Sequence, residues 1–218
     1  MSFIKNLIHK FLNKKISEIY NNRFFQYNNT PQGVFWNSKL SQDLRLNIVI
    51  DRIIKNSKSE FCTLADIGCG YGRLLEIIKE RSLEGKIQYY GFDINTNLIS
   101  FCKNNQKFAN AHFYEGIHPF QKFDYVIMSG TYNLTPTNNL KLWEEYFLEN
   151  LKSNWRYVER ALIFNCLVCK ERKIKNKLYY TKASWIKKLC EENFNNPEIS
   201  KHNLLKEDIT IFIKKNLR

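Results

Sequence analysis

Asp66-Ile67-Gly68-Cys69-Gly70-Tyr71-Gly72 sets a carboxylate two residues ahead of three alternating glycines, in a chain that holds only eight glycines. Glycine removes the Cβ atom, so the backbone there can turn sharply and come close to a ligand. A helix starting just after such a turn adds unpaired N–H groups to the same spot. A second carboxylate, Asp93, stands 21 residues beyond Gly72 (93 − 72). At the end of the neighbouring strand, that carboxylate can accept both hydroxyls of a ribose. The chemistry on offer is the binding of a nucleoside.

Two details choose among nucleosides. The dinucleotide fingerprint G-x-G-x-x-G wants a third glycine where this chain has Arg73. Asp66 would repel a dianionic pyrophosphate, whereas S-adenosylmethionine (SAM) brings an ammonium, a sulfonium and no phosphate. Together with Asp93 these features favour SAM over a nicotinamide cofactor, and an NAD(P)-dependent oxidoreductase stays as an alternative. No metal site is expected.

The elements that must position these groups follow from hydrophobic periodicity. Apolar strands are expected over about 61–67, 87–92, 111–114, 123–128 and 160–167. Helices alternate with them over about 73–81, 95–105, 139–153 and 182–192. A helix over about 37–55 precedes the first strand, and a hairpin, about 197–203 and 208–214, closes the sequence. Repeated strand–helix units with near-continuous apolar strands imply a mostly parallel sheet covered on both faces. The short last connection forces an antiparallel pairing. The fold class is therefore α/β, with the ligand beyond the carboxyl ends of the strands near the first of them. Residues 1–33 are expected as an amphipathic helix, about 1–20, followed by a loop, and 34–218 as the main domain. The helix sets Phe3, Ile4, Leu7, Ile8, Phe11, Leu12, Ile16 and Ile19 against Lys5, Lys10, Lys14 and Lys15. It can pack on its own domain, dock on a partner or lie on a membrane surface.

Three segments, 65–72, 90–94 (Tyr90-Gly91-Phe92-Asp93-Ile94) and 123–130 (Phe123-Asp124-Tyr125-Val126-Ile127-Met128-Ser129-Gly130), resemble motifs I, II and IV of the class I, Rossmann-like SAM-dependent methyltransferases. The resemblance runs from about Val34 to the C-terminus and implies a seven-stranded sheet with an antiparallel last strand. It also implies roles. Asp66, Gly68, Cys69 and Gly70 would line the methionine end of SAM, Asp93 would bind the ribose, and Ile94 would pack on the adenine. Glu115, Gly116 and Ile117 would meet the adenine edge, although the family usually carries Asp in this region. Ser129 and Gly130 would border the transferred methyl. The stretch Trp36-Asn37-Ser38-Lys39-Leu40-Ser41-Gln42-Asp43-Leu44-Arg45, with Ser129-Gly130-Thr131-Tyr132-Asn133, further resembles a bacterial subgroup that modifies small molecules or surface glycans. Under that likeness Trp36, Gln42 and Arg45 would close over the cofactor, with Arg45 on its carboxylate.

Methyl transfer is an in-line displacement in which the protein aligns the reactants and excludes water. A base is needed only where the acceptor keeps a proton. His118 and Tyr132 are the catalytic candidates, with His112 and Glu115 nearby. The acceptor is expected to be a small, anionic metabolite or glycan precursor. The reason is the basic, aromatic stretch 170–188, which carries Lys170, Arg172, Lys173, Lys175, Lys177, Lys182, Lys187 and Lys188 with Tyr179, Tyr180 and Trp185.

The formal charge of +13 admits RNA as an alternative acceptor, yet lysines spread along the whole chain also fit a solvated surface. The fourth strand lacks the Asn/Asp-Pro-Pro-Tyr/Phe motif of amino-directed nucleic-acid methylation, and no Pro-Cys pair supports cytosine-C5 chemistry. No run approaches the roughly 18 apolar residues of a membrane span, and a cytoplasmic location is expected. The six cysteines, Cys166-x-x-Cys169 included, read as reduced, mostly buried thiols.

Overall fold

The computed structural model describes residues 3–58, 60–108 and 111–216. Helix α1 (Phe3–Tyr27) leads through a 3-10 turn (Pro31–Val34) to α2 (Lys39–Ser57). Strands β1 (Cys62–Ile67), β2 (Ile87–Asp93), β3 (His112–Glu115), β4 (Phe123–Met128) and β5 (Val158–Val168) alternate with α3 (Arg73–Glu80), α4 (Thr96–Asn104) and α5 (Leu140–Trp155). After β5 come the short strands β6 (Lys173–Lys175) and β7 (Leu178–Thr181), then α6 (Ala183–Asn193), β8 (Pro197–His202) and β9 (Leu205–Lys214). Helix starts follow from caps: Ser38 Oγ accepts the Ser41 N–H at 3.1 Å, and Asn95 and Asn139 cap α4 and α5 in the same way.

The parallel order is β3-β2-β1-β4-β5. Strand β9 runs antiparallel along the far edge of β5, Leu162 opposite Ile213, and β8 pairs with β9. This is the expected mostly parallel frame with its antiparallel last strand, but among the described residues the sheet has nine strands where seven were expected, the short β6 and β7 being the additions. The sheet reverses order at β1, so its carboxyl end is the switch point at which open sheets bind ligands. Alternation in the strands builds a core on each face. Val126, Met128, Leu162 and Phe164 meet Trp143 and Phe147 of α5, while Tyr125, Ile127 and Ile163 meet Ile50 and Ile53 of α2 and Leu74 and Ile78 of α3. Each such buried side chain contributes about 1.5–3 kcal/mol.

Two segments depart from expectation. Residues 20–27 are helical, not a loop: Tyr20 and Phe24 extend the inner face of α1, packing edge-on against Phe35 and Phe101. The helix stops only at Asn28, whose φ is 51°. Within the basic stretch, β6 and β7 form a hairpin around Asn176 and Lys177, both left-handed with φ of 52° and 61°. Strand β7 continues along the β4 side of β5, where Leu167 faces Tyr180, beyond the last β4 pairing of Met128 with Phe164. Among the described residues no helix is long and apolar enough to cross a membrane, and no cluster of His, Cys, Asp and Glu could hold a metal.

Candidate active site

A cavity opens at the carboxyl ends of β1, β2 and β4. Asp66, Gly68, Cys69 and Gly70 line it from the first strand and its loop, Asp93 and Ile94 from the second, and Gly116 and Ile117 from the loop after β3. Ser129, Gly130, Thr131 and Tyr132 close it behind β4. Most of the residues singled out in the sequence therefore meet in one place.

Asp93 is fixed by the backbone around it. Its Oδ2 accepts the Gly70 N–H at 2.9 Å and its Oδ1 accepts the Asn95 N–H at 2.9 Å. Burial nevertheless pushes its pKa up to about 6. Asp66 is buried too, accepts the Tyr89 hydroxyl at 2.9 Å, and is pushed up to about 7 by desolvation. Two desolvated carboxylates facing one cavity form a site that a cationic or hydroxyl-rich ligand relieves. Ser129 Oγ lies in the same wall, buried and without a hydrogen-bond partner among the described residues.

The third glycine serves the fold. Gly72 caps α3 with φ of 87°, and a Cβ there would fall 2.8 Å from the Phe108 ring. Arg73, in place of a dinucleotide glycine, is saturated by carboxylates: Nε meets Asp43 at 2.7 Å, and Nη1 meets Glu76 at 3.0 Å and Glu80 at 2.7 Å. It ties α2 to α3 rather than meeting a phosphate.

Three expected residues stand outside this cavity. Glu115 is exposed at the end of β3. His118 is exposed, with its ring stacked on Tyr157 at 5.7 Å between centroids. The chain turns outward after Ile117, whose carbonyl accepts Asn154 Nδ2, so the imidazole never faces the strand ends. Arg45 is directed to Asp208, with Nε 2.7 Å from Oδ2, because burial leaves that carboxylate in need of a cation. Tyr132 does line the cavity, but burial holds its phenol well above the ordinary range, so it is a proton donor and not a base at neutral pH.

Residues that sequence reasoning missed form the roof. Ile16 and Tyr20 of α1, with Val34 and Leu46, cover the cavity beside Trp36 and Gln42, which the sequence had named, and Tyr146 and Asn150 of α5 reach it from the side. The periodicity that marked Ile16 as inward-facing gave no sign of what it covers. The space, which is partly open, is about 90 Å³, below the roughly 300 Å³ at which small-molecule pockets begin. A ligand of nucleoside size fits the chemistry of this wall and requires the roof to move.

A second cleft of about 570 Å³ adjoins the first, sharing Tyr20, Val34, Trp36 and Gly130 with it. Leu134, Leu167, Leu178 and Tyr180 wall it, with Ser38, Ser41, Asn133, Arg45, Lys206, Glu207 and Asp208. The boundary is a closed ring of contacts. Gly130 N–H donates to Asn165 Oδ1 at 2.6 Å, and Asn165 Nδ2 donates to Asp208 Oδ2 at 2.9 Å. Asp208 holds Arg45, and the Arg45 guanidinium lies 4.6 Å from the Trp36 ring centre. Trp36 returns to Gly130, where a Cβ would lie only 2.9 Å from the indole. Glycine is required there by the indole's close approach.

A switch-point cavity with a glycine loop after β1 and an acid ending β2 is the architecture of class I methyltransferases. Residues 58–216 match the methyltransferase domain family, and the chain belongs to it. A curated protein of Mycobacterium tuberculosis named as a methyltransferase is 26% identical over 165 residues, which cover 74% of this chain and 98% of that one. The fold is similar to that of magnesium protoporphyrin IX methyltransferase from Synechocystis PCC 6803 with bound SAM, at a TM-score of 0.66 and 14% identity over 96% of this chain and 97% of the other. A SAM-dependent methyltransferase from Leishmania major is similar at a TM-score of 0.63 and 11% identity, over 90% and 82%.

Proposed function

We propose that this protein is a SAM-dependent methyltransferase whose acceptor is a small molecule held in the second cleft. The observation that carries this reading is Asp93, a buried carboxylate pinned by two backbone N–H groups at the edge of a glycine-floored cavity. Bound there, SAM supplies a methyl carbon already activated by its sulfonium. Asp93 accepts the ribose hydroxyls, Asp66 offsets the positive methionine end, and Ile94 packs on the base. Gly116 and Ile117 border the adenine edge, and Ser129 offers its unpaired hydroxyl. Gly130 and Trp36 stand where the two spaces meet, which is where an acceptor must be aligned and water excluded.

The cleft supports a particular acceptor chemistry. Arg45 and Lys206 are matched by Asp208 and Glu207, and leucines and Tyr180 make up much of the rest. The eight basic residues of the 170–188 stretch, which with its aromatics prompted the expectation of an anionic acceptor, do not line the cleft, and Lys173, Lys175 and Lys177 are exposed on the hairpin. This balance favours an uncharged, partly apolar acceptor presenting a hydroxyl or amine. For a hydroxyl acceptor, the methyl would leave sulfur with the S–CH3 bond electrons staying on sulfur, and the proton released from the acceptor would pass to the Asp208 carboxylate in the cleft wall, whose pKa burial pushes up to about 6.

Calorimetry with S-adenosylhomocysteine tests the donor site. The native chain should bind, and Asp93→Ala should bind at least about tenfold more weakly once the ribose loses a charged acceptor. An absence of heat with the native protein would end the proposal.

A further inference from the structure

Helix α1 turns two different faces outward and inward. Its inner face carries Leu12, fully buried, with Ile8 and Ile16 against the core, and Asn13 accepts the Tyr146 hydroxyl at 2.6 Å. The opposite face over the first turns carries Phe3, Ile4, Leu7 and Phe11, which are 78%, 69%, 51% and 58% exposed. At about 100° of rotation per residue these four fall within one sector of about 100°. Lys10 and Lys15 border that sector, Lys14 falls within it just beyond Phe11, and Lys15 Nζ lies 5.8 Å from the Phe11 ring centre. The single acid of α1 is Glu18, which pairs with Lys15 at 2.9 Å.

We infer that this outer face of α1 docks on an anionic lipid bilayer. Four large apolar side chains enter the boundary between headgroups and acyl chains, while the lysines beside and just beyond them meet anionic headgroups. Apolar area and basic charge then act together, as interfacial helices require. The formal charge of +13 draws the whole chain toward such a surface. Charge also selects among occupants. A second copy seated through the same face would bring Lys10 and Lys14 against their own counterparts, whereas an anionic surface complements them. The inference stands on the helix alone and does not depend on the donor or the acceptor.

Sedimentation of the full chain with phosphatidylglycerol–phosphatidylcholine vesicles, against phosphatidylcholine alone, tests it. The native chain should pellet with the anionic vesicles and release as salt is raised. Leu7→Ser/Phe11→Ser and, separately, Lys10→Glu/Lys14→Glu should each lower retention by about tenfold or more. All four positions are on the surface, so both variants should melt as the native chain does. Three results would each overturn the inference: no retention on anionic vesicles, retention indifferent to both variants, or a dimer in solution that the Leu7→Ser/Phe11→Ser variant abolishes. Retention by an acidic protein column without retention on vesicles would overturn it as well.

Discussion

At the scale of single residues, Arg45 separates two roles that its sequence position left open. Placed on the cofactor carboxylate, its loss would weaken the cofactor steeply. Placed as it is, between Asp208 and Trp36, it holds the wall between the cavities. Arg45→Met should leave affinity for S-adenosylhomocysteine within about threefold, while costing about 3 kcal/mol of stability as buried Asp208 loses its cation. Calorimetry and urea unfolding would measure the two. A tenfold loss of affinity would return Arg45 to the cofactor. The residues legible in the sequence were those whose chemistry is local: Asp66, the glycines and Asp93 sit at strand ends, and strand ends are readable. Arg45 and His118 were misjudged because their direction depends on partners far along the chain. Nothing near Arg45 announced Asp208.

At the scale of elements, the alternating strands and helices were legible because apolar strands buried on both faces leave continuous hydrophobic runs. The β6–β7 hairpin was not, since lysines mask its alternation: Leu178 and Tyr180 face the cleft while Tyr179 and Thr181 are buried. Its turn holds Lys177 at φ 61° without the glycine such two-residue turns favour. Lys177→Gly should therefore stabilise the chain by about 0.5–1 kcal/mol, read as a higher melting temperature. A lower one would mean that the Lys177 side chain contributes more than its strain removes. The roof formed by α1 escaped sequence reading for a different reason. Helical periodicity shows which face turns inward but not what lies beneath it.

At the scale of the molecule, the buried carboxylates set how stability answers to pH. Asp66 is raised to about 7, and Asp93 and Asp208 to about 6, each from 3.8, with burial the largest cause. The folded chain thus holds these protons more tightly than the unfolded one. Their contribution is fully favourable below about pH 4 and is lost as the pH rises through 6 to 7. Thermal unfolding should show the chain more stable at pH 5.5 than at pH 7.5, and a maximum above pH 7 would contradict the assignment. The roof over the first cavity, finally, has a consequence in time. A space of about 90 Å³ beneath Ile16, Tyr20 and Val34 admits no nucleoside until those side chains withdraw. Loading is then paced by the protein and not by encounter. In stopped-flow mixing, the observed rate should level off as ligand concentration rises, at a ceiling that belongs to the opening of α1.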